Sequence, residues 1–531
     1  MAKDTSGSRE TELKLTLLPD QGERLRRHPL IRSLKQGRAR GRHQVSTYYD
    51  TPARRLWKAG IGLRVRQEGK SLTQTVKAEG EGAAGLFSRP EWNWPVDSEA
   101  PDVGLLKALP SGLLPLKPKT LARSLEPVFV TDIKRTTWRL AGDGWAIELA
   151  HDAGEVRAGE VREPISELEL ELLEGSTDQL FTVALELAAT IAMRPEARDK
   201  AQRGHNLAAG ITPQPTKNKN AGLTAEMTVE QGFAHIARTC LAQITGNGEL
   251  LKQTGDIEAL HQLRVGTRRL RSAIDTFKAT VGTPETAEVK SLTGDLGRAF
   301  GDARDLDVFV TELLPPLFTD LEDSPGGQAF LRAVDKRRQA AYKAAYAALD
   351  GPDYTRTVLR IAHWIEAGDW RAATPPPVGD ETGRKLAKDE RRDLLQAPLP
   401  TRAVQVLEKR YKAVRKAGRD FDKLTLADLH NLRVRIKKLR YAVEFFSELW
   451  DDKNLKRFIK DLKGLQDALG HLNDLRFVQD FAADLSGNRG DKAFAWTAGQ
   501  LAGRAHERVR FERAAAAARW GRFIARQPYW R

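Results

Sequence analysis

The chain has 531 residues, 40% hydrophobic and 30% charged, which is material for ordinary cores in two or three domains. Eighty-six Lys and Arg against 71 Asp and Glu leave a net charge of +15, which favours a polyanionic partner: nucleic acid, an acidic membrane surface or polyphosphate. Cys240 is the sole cysteine, excluding an internal disulfide and a cysteine-based metal site; with no apolar leader after MAKDTSGSRE and no apolar run near about 18 residues, a cytoplasmic protein is expected.

The first patterned stretch, residues 10–18 (ETELKLTLL), alternates strictly. Glu10, Glu12 and Lys14 point one way and Leu13, Leu15 and Leu17 the other, which predicts a half-buried strand. Taken alone, such a face is the solvent side of an edge strand. Pro19–Leu34 then reads as one helix. A strand ending at Tyr48-Tyr49-Asp50 follows, then a short helix around Pro52–Lys58 and two strands joined by Glu68-Gly69-Lys70.

Those two strands place Arg64 and Arg66 on one face, and likewise Thr73, Thr75 and Lys77. Later strands carry Arg89 with Glu91, Arg135 with Thr137 and Arg139, and Glu148 with Asp152 in phase. The last, ISELELELLE, sets Glu167, Glu169 and Glu171 opposite Leu168, Leu170 and Leu172. An open sheet with helices on its apolar face would give the same alternation. Three glutamates on one strand and two on another are costly without compensating cations, and the other strands supply them. A closed antiparallel barrel of about eight strands, charges inside and leucines outward under flanking helices, is the economical arrangement.

These motifs resemble the CYTH domain of the triphosphate tunnel metalloenzymes over roughly residues 8–207. The correspondence runs through Glu10-x-Glu12-x-Lys14, Tyr49–Pro52, Leu63–Arg66, Thr75–Lys77, the carboxylates Glu167, Glu169 and Glu171, and Lys200 ahead of Arg203-Gly204. His205 stands where an aromatic residue is expected. The resemblance implies metal-dependent hydrolysis of a triphosphate, with Glu10, Glu12, Lys14, Arg64, Arg66 and Lys77 catalytic. Arg89, Arg135, Lys200 and Arg203 would bind substrate, and Glu10, Glu12, Glu167, Glu169 and Glu171 would hold Mg²⁺ or Mn²⁺. Oxygen-only ligands select such hard cations over Zn²⁺, and a buried triphosphate needs cations on several sides. Inorganic tripolyphosphate is the expected substrate; thiamine triphosphate and nucleotides are the alternatives, and no stretch reads a base or a thiazolium ring.

Residues 208–224 (AAGITPQPTKNKNAGLT) lack periodicity and read as a linker. An all-helical region follows over 225–525, in halves of about 225–373 and 384–525 separated by the loop Thr374–Gly383. Its key stretch is written twice. LHQLRVGTRRLRSAIDTF at Leu260–Phe277 returns as LHNLRVRIKKLRYAVEFF at Leu429–Phe446, each position displaced by 169. The same offset relates Leu296, Ala299, Gly301, Asp305 and Leu306 to Leu465, Ala468, Gly470, Asp474 and Leu475, which indicates an internal duplication.

In helical phase, Leu260, Leu263, Leu270, Ile274 and Phe277 form an apolar stripe beside a stripe of His261, Arg264, Arg268 and Arg271. A single such helix is most simply a solvated basic face. Two copies that keep a histidine and aligned cations, with no interleaved acid, point to an anionic ligand. These helices resemble the CHAD domain over roughly residues 225–520. The resemblance implies binding of inorganic polyphosphate by His261, Arg264, Arg268, Arg269 and Arg271 and by their counterparts His430, Arg433, Lys437, Lys438 and Arg440, and association with polyphosphate granules. If the histidines face the ligand, binding tightens as pH falls through about 6.5; the other reading is a core histidine bonded to a carbonyl. Nucleic acid is disfavoured because only Tyr441 lies in phase with the cations as a stacking group. A non-catalytic polyphosphate-binding scaffold is the competing function, and the full charge set of the barrel strands argues for the enzyme.

Overall fold

The computed structural model describes residues 7–80, 82, 84–217, 221–371, 388–487 and 491–531. The predicted loop Thr374–Gly383 lies outside them. The chain divides into two compact units, 1–216 together with 350–367, and 217–349 together with 368–531.

Among the described residues of the first unit, nine strands form one antiparallel sheet: β1 (Ser8–Leu17), β2 (Arg40–Asp50), β3 (Gly62–Glu68), β4 (Ser71–Lys77), β5 (Leu86–Val96), β6 (Glu126–Gly142), β7 (Trp145–Ala158), β8 (Val161–Glu174) and β9 (Met193–Pro195). Their order is β5-β4-β3-β2-β6-β7-β8-β1-β9, and β1 also pairs with β5, so eight strands close into the expected barrel. β1 shares one edge with two neighbours in turn, β5 over Ser8–Leu13 and β9 over Leu15–Leu17. The handover falls at Lys14, whose N–H donates to Gly85 O (2.8 Å) and whose carbonyl accepts from Glu196 N (3.1 Å). Gly85 reaches that approach at φ +91°, a conformation open to glycine.

The alternation sorts as the charge argument requires. Leu13, Leu15, Leu168 and Leu170 are buried on the outer face. There the helix Thr177–Leu187, opened by a Ser176/Gln179 capping box, packs Leu180, Phe181 and Ala184 against β1 and β8. The helix Pro352–Ala367, which sequence pattern places at the end of the first helical half, belongs to this same unit. Its Thr355 hydroxyl donates to Met193 O on β9, and its His363 stacks on Phe181 (centroids 5.4 Å) and bonds Asp178.

The helix expected over Pro19–Leu34 is two short ones, Gln21–Arg26 and Pro29–Leu34. Pro29 restricts the residue before it, and His28 is accordingly extended at φ −60°, ψ 132°. Asp50, at the end of β2, accepts from the N–H groups of Thr51, Leu56 and Trp57 at 2.6–2.9 Å, so it caps the following turn rather than serving the interior. Trp92 and Trp138 are buried packing residues, as their strand positions suggest.

The second unit is all-helical in its described residues. The duplication is visible in the elements: Ile257–Thr276 repeats as Leu426–Phe446. Pro284–Ala299 and Gly301–Val308 are interrupted at Phe300, whereas their counterpart runs unbroken as Lys453–Ser486. The equivalent residues Phe277 and Phe446 meet edge to face, ring centroids 5.7 Å apart, so the two copies pack against each other there. No described helix is long and apolar enough to cross a membrane.

Candidate functional site

Strand register builds the interior of the barrel. Across three adjacent strands Glu12 faces Glu171 and Glu171 faces Glu148, while one step inward Lys14 faces Glu169. A further step brings Asp152 opposite Glu167, and Arg135 opposite Asp152. A short helix, Lys200–Ala208, lies in the bore. It touches the two strands that flank β2, through Gly204 on Phe129 of β6 and Ala201 on Gly62 of β3, and sends Lys200 and Arg203 toward β7 and β8. A Cβ at residue 204 would stand 2.1 Å from the Phe129 ring, so glycine is required there. The departure at His205 is small in effect. The ring is buried, stacks on Trp57 (4.7 Å) and meets Phe129 edge-on (5.1 Å), and burial lowers its pKa to about 4, so it packs as a neutral aromatic ring.

The interior holds two electrostatic neighbourhoods. In the deeper one, Lys200 Nζ lies 2.8 Å from Asp152, 2.6 Å from Glu167 and 2.8 Å from Glu169. Arg135 grips both oxygens of Asp152 (2.7 and 2.6 Å) and reaches Glu169, which also takes Lys14 at 2.6 Å. Arg203 binds Glu167 (2.6 Å), Glu163 (2.9 Å) and the Pro164 carbonyl (2.6 Å). Burial alone would lower Lys200 and raise Asp152, but the pairing outweighs it. Lys200 is held well above its usual pKa, and Lys200 with Arg135 hold Asp152 down at about 2.

Nearer the barrel's open rim, carboxylates crowd with less compensation. Lys77 pairs with Glu10 and with Glu91 (3.3 Å), and Arg89 with Glu12 (2.9 Å) and Asp199. Glu148 and Glu171 have no cation partner among the described residues. Burial, with Glu10 and Glu12 adding repulsion, pushes the Glu171 carboxyl up to about 7. The reverse imbalance occurs at Arg66, beside Arg64. Arg64 bonds the Tyr48 hydroxyl (3.2 Å) and lies 3.9 Å from Glu91, whereas Arg66 bonds only the Ser46 hydroxyl (3.1 Å). Burial beside Arg64 and Arg135 lowers Arg66 to about 9.

The candidate site residues of the barrel thus border this interior. Lys200, Arg203 and Arg135, expected on substrate, are taken up by carboxylates. Of the expected metal ligands, Glu167 and Glu169 join Asp152, the three offering oxygens within 4.8 Å of one another, a spacing that could hold a metal ion. Glu10, Glu12 and Glu171 group with Glu148 instead. Asp152, Glu148 and Asp199 were not chosen from sequence. The first two were visible in phase on β7, and the third directly precedes Lys200.

In the helical unit, Arg264 bonds Asp305 and the Gly301 carbonyl, both at 2.7 Å, and its counterpart Arg433 lies beside Gly470 and Asp474. Between them stand Arg268, Lys437, Arg440 and a residue missed in the sequence, Arg304. Arg268 stays exposed at the surface, yet crowding that strips water from it and this like-charged company lower it, and partial burial beside Arg433 and Arg268 brings Lys437 to about 8. Arg271 and Lys438 are exposed. Arg269 is not part of this face: it is buried, paired with Glu444 (3.0 Å) and set over the Phe445 ring. The histidines differ. His430 is exposed and bonded to Asn473 (3.0 Å), whereas His261 is half-buried and lowered to about 4 by burial and then Arg304, so it carries no charge near pH 6.5 in the free protein. Tyr441 is buried beneath Arg440, which removes the one aromatic in phase for base stacking.

Residues 8–205 match the family model of the CYTH domain, and residues 235–483 that of the CHAD domain. An inorganic triphosphatase of Haemophilus influenzae is 36% identical over 203 residues, 37% of this chain and 54% of that protein, so the chain spans about half the length of that curated relative. Among solved structures, the CHAD domain from the plant Ricinus communis is 28% identical, covering 58% of this chain and 98% of that one (TM-score 0.48). A Hippeastrum protein described as a putative adenylyl cyclase with a dominant triphosphatase activity is 17% identical over 38% of this chain and 97% of its own (TM-score 0.27).

Proposed function

The chain joins a CYTH domain to a CHAD domain, and on that premise we propose that its barrel hydrolyses inorganic tripolyphosphate with a divalent metal while its helical unit binds inorganic polyphosphate. One observation carries the reading. A single bore holds carboxylates without a cation partner, Glu148 and Glu171, and a cation without a carboxylate partner, Arg66, among the described residues. A metal-bound phosphate chain relieves both.

The donor set fits a hard divalent cation, Mg²⁺ or Mn²⁺, because it offers carboxylate oxygens alone and one carboxyl is held half-protonated near neutrality. Bound there, such an ion would neutralise charge and polarise phosphoryl oxygens. The rest falls to the chain. Arg64 and Arg66 bind phosphate oxygens, with Lys77, Lys14 and Arg89 placed to stabilise charge that develops during transfer. Arg203 and Arg135 hold Glu167, Glu169 and Asp152 in place rather than touching substrate.

The aromatics bordering the bore favour the bare phosphate chain over nucleotides or thiamine triphosphate. Lys14 and Arg89 lie over the Phe87 ring, and Tyr48 lies under Arg64 and stacks on Phe129, so these rings are already engaged by the protein's own groups. In the helical unit the uncompensated cations of the two repeats support polyphosphate, and the burial of Tyr441 counts against single-stranded nucleic acid.

The test is phosphate release from tripolyphosphate with Mg²⁺, Mn²⁺ or EDTA, comparing wild type with Glu10→Gln/Glu12→Gln. Release that requires the metal and drops by about a hundredfold or more in the double variant is expected. No release with either metal would leave a polyphosphate-binding protein with an inactive tunnel.

A further inference from the structure

Resting on the phosphate-binding role given to Arg66 above, we propose that Ser46 is a positioning residue, holding the Arg66 guanidinium so that its open edge meets a phosphate in the bore. Strand register makes the contact. Ser46 stands opposite Arg66 of β3 on one side and Thr131 of β6 on the other, so its strand is paired along both edges. Its side chain is buried, 1% exposed, and its hydroxyl accepts the Arg66 Nε–H at 3.1 Å.

A guanidinium is planar, so a bond at Nε fixes where both Nη groups point. Those groups make no hydrogen bond among the described residues, and neither is sealed from solvent. The pair is therefore free to take two phosphate oxygens side by side. An acceptor on a strand paired along both edges holds that direction more closely than one on a loop.

The neutrality of the acceptor matters as much as its place. Arg135 is held by Asp152 and Glu169, Arg203 by Glu167 and Glu163, and Arg89 by Glu12 and Asp199, so each is neutralised by the groups that orient it. A hydroxyl orients Arg66 and leaves its charge intact for a ligand. In the free protein that uncompensated charge is penalised by burial beside Arg64 and Arg135, which holds Arg66 down at about 9.

The full-length chain is tested in two ways. First, kcat/KM for tripolyphosphate with Mg²⁺ is compared in wild type, Ser46→Ala, Arg66→Ala and the double variant. Ser46→Ala is expected to lose about tenfold, and to cost nothing further once Arg66 is replaced. An unchanged Ser46→Ala, or the same loss in both backgrounds, overturns the proposal. Second, tripolyphosphate is titrated in EDTA against the chain carrying ¹³C-labelled arginine. The signal followed is the Arg66 Cζ resonance, identified by its absence from Arg66→Ala. Its midpoint is expected about tenfold higher in Ser46→Ala; an equal midpoint, or a wild-type resonance that does not respond, overturns the proposal. Ser46→Cys, a weaker acceptor of similar size, replaces the alanine variant if that does not fold. No phosphate release by wild type alongside a shifted midpoint would refute hydrolysis and leave the positioning role of Ser46 standing.

Discussion

The bore of the barrel and the basic face of the helical unit are both rich in Lys and Arg, and their cations behave in opposite ways. In the bore, Lys14, Lys200 and Arg135 are raised above their ordinary pKa because carboxylates outweigh burial. On the helical face Arg268, Arg433 and Lys437 are lowered, because loss of water there is compounded by other cations or only weakly offset. Arg66 is the exception within the bore and resembles the helical face. Paired cations are architecture, and unpaired ones are seats for an anion. Net charge alone does not distinguish the two.

Arginine substitutions inside the barrel give the widest test of that contrast. Arg135→Ala strips Asp152 and Glu169 of a buried partner and is expected to cost about 3–5 kcal/mol in urea unfolding. Arg66→Ala removes a cation with no carboxylate, so its stability should stay within about 1 kcal/mol of wild type while phosphate release falls by about a hundredfold. Equal losses of stability would erase the distinction.

On the helical face the contrast predicts a pH dependence. Lys437 has a folded pKa of about 8 against an ordinary 10.5. Between those values the unfolded chain carries more protons, so this lysine makes stability rise with pH across that window. A bound polyanion favours the charged form. Polyphosphate affinity, followed by titration calorimetry, should be level below about pH 8 and weaken above it, and in Lys437→Met it should be lower and flat over that step. A step that survives in the variant would assign it to another group.

The smallest effect is expected at His205, which is neither paired nor part of either cationic set. His205→Phe keeps the contacts with Trp57 and Phe129 and discards a ring nitrogen, Nδ1, that has no hydrogen-bond partner. Stability should change by no more than about 1 kcal/mol, with phosphate release as in wild type. A large loss would mean that this imidazole has a polar role that its surroundings do not suggest.

Much of this was written locally. The period of two in ETELKLTLL and ISELELELLE determined which residues face inward, because a strand turns alternate side chains to opposite faces whatever it pairs with. The offset of 169 determined that the helical region is duplicated and carries its basic helix twice. Pairing was another matter. Lys200 meets Glu167 across 33 residues, Lys14 meets Glu169 across 155, and Arg269 meets Glu444 across 175. No local pattern records such partnerships. Asp152 and Glu148 were in phase but each alone on its stretch of strand, so nothing marked them as members of separate carboxylate groups until β8 was laid beside β7. Likewise a cation in helical phase is the same letter whether it ends buried against a neighbouring helix, as Arg269 does, or in a crowd of like charges, as Lys437 does. Faces follow from backbone geometry and are decided by the sequence. Which charge is neutralised, and therefore which is left to bind, depends on distances of a few ångströms between remote residues, and only the tertiary fold sets those.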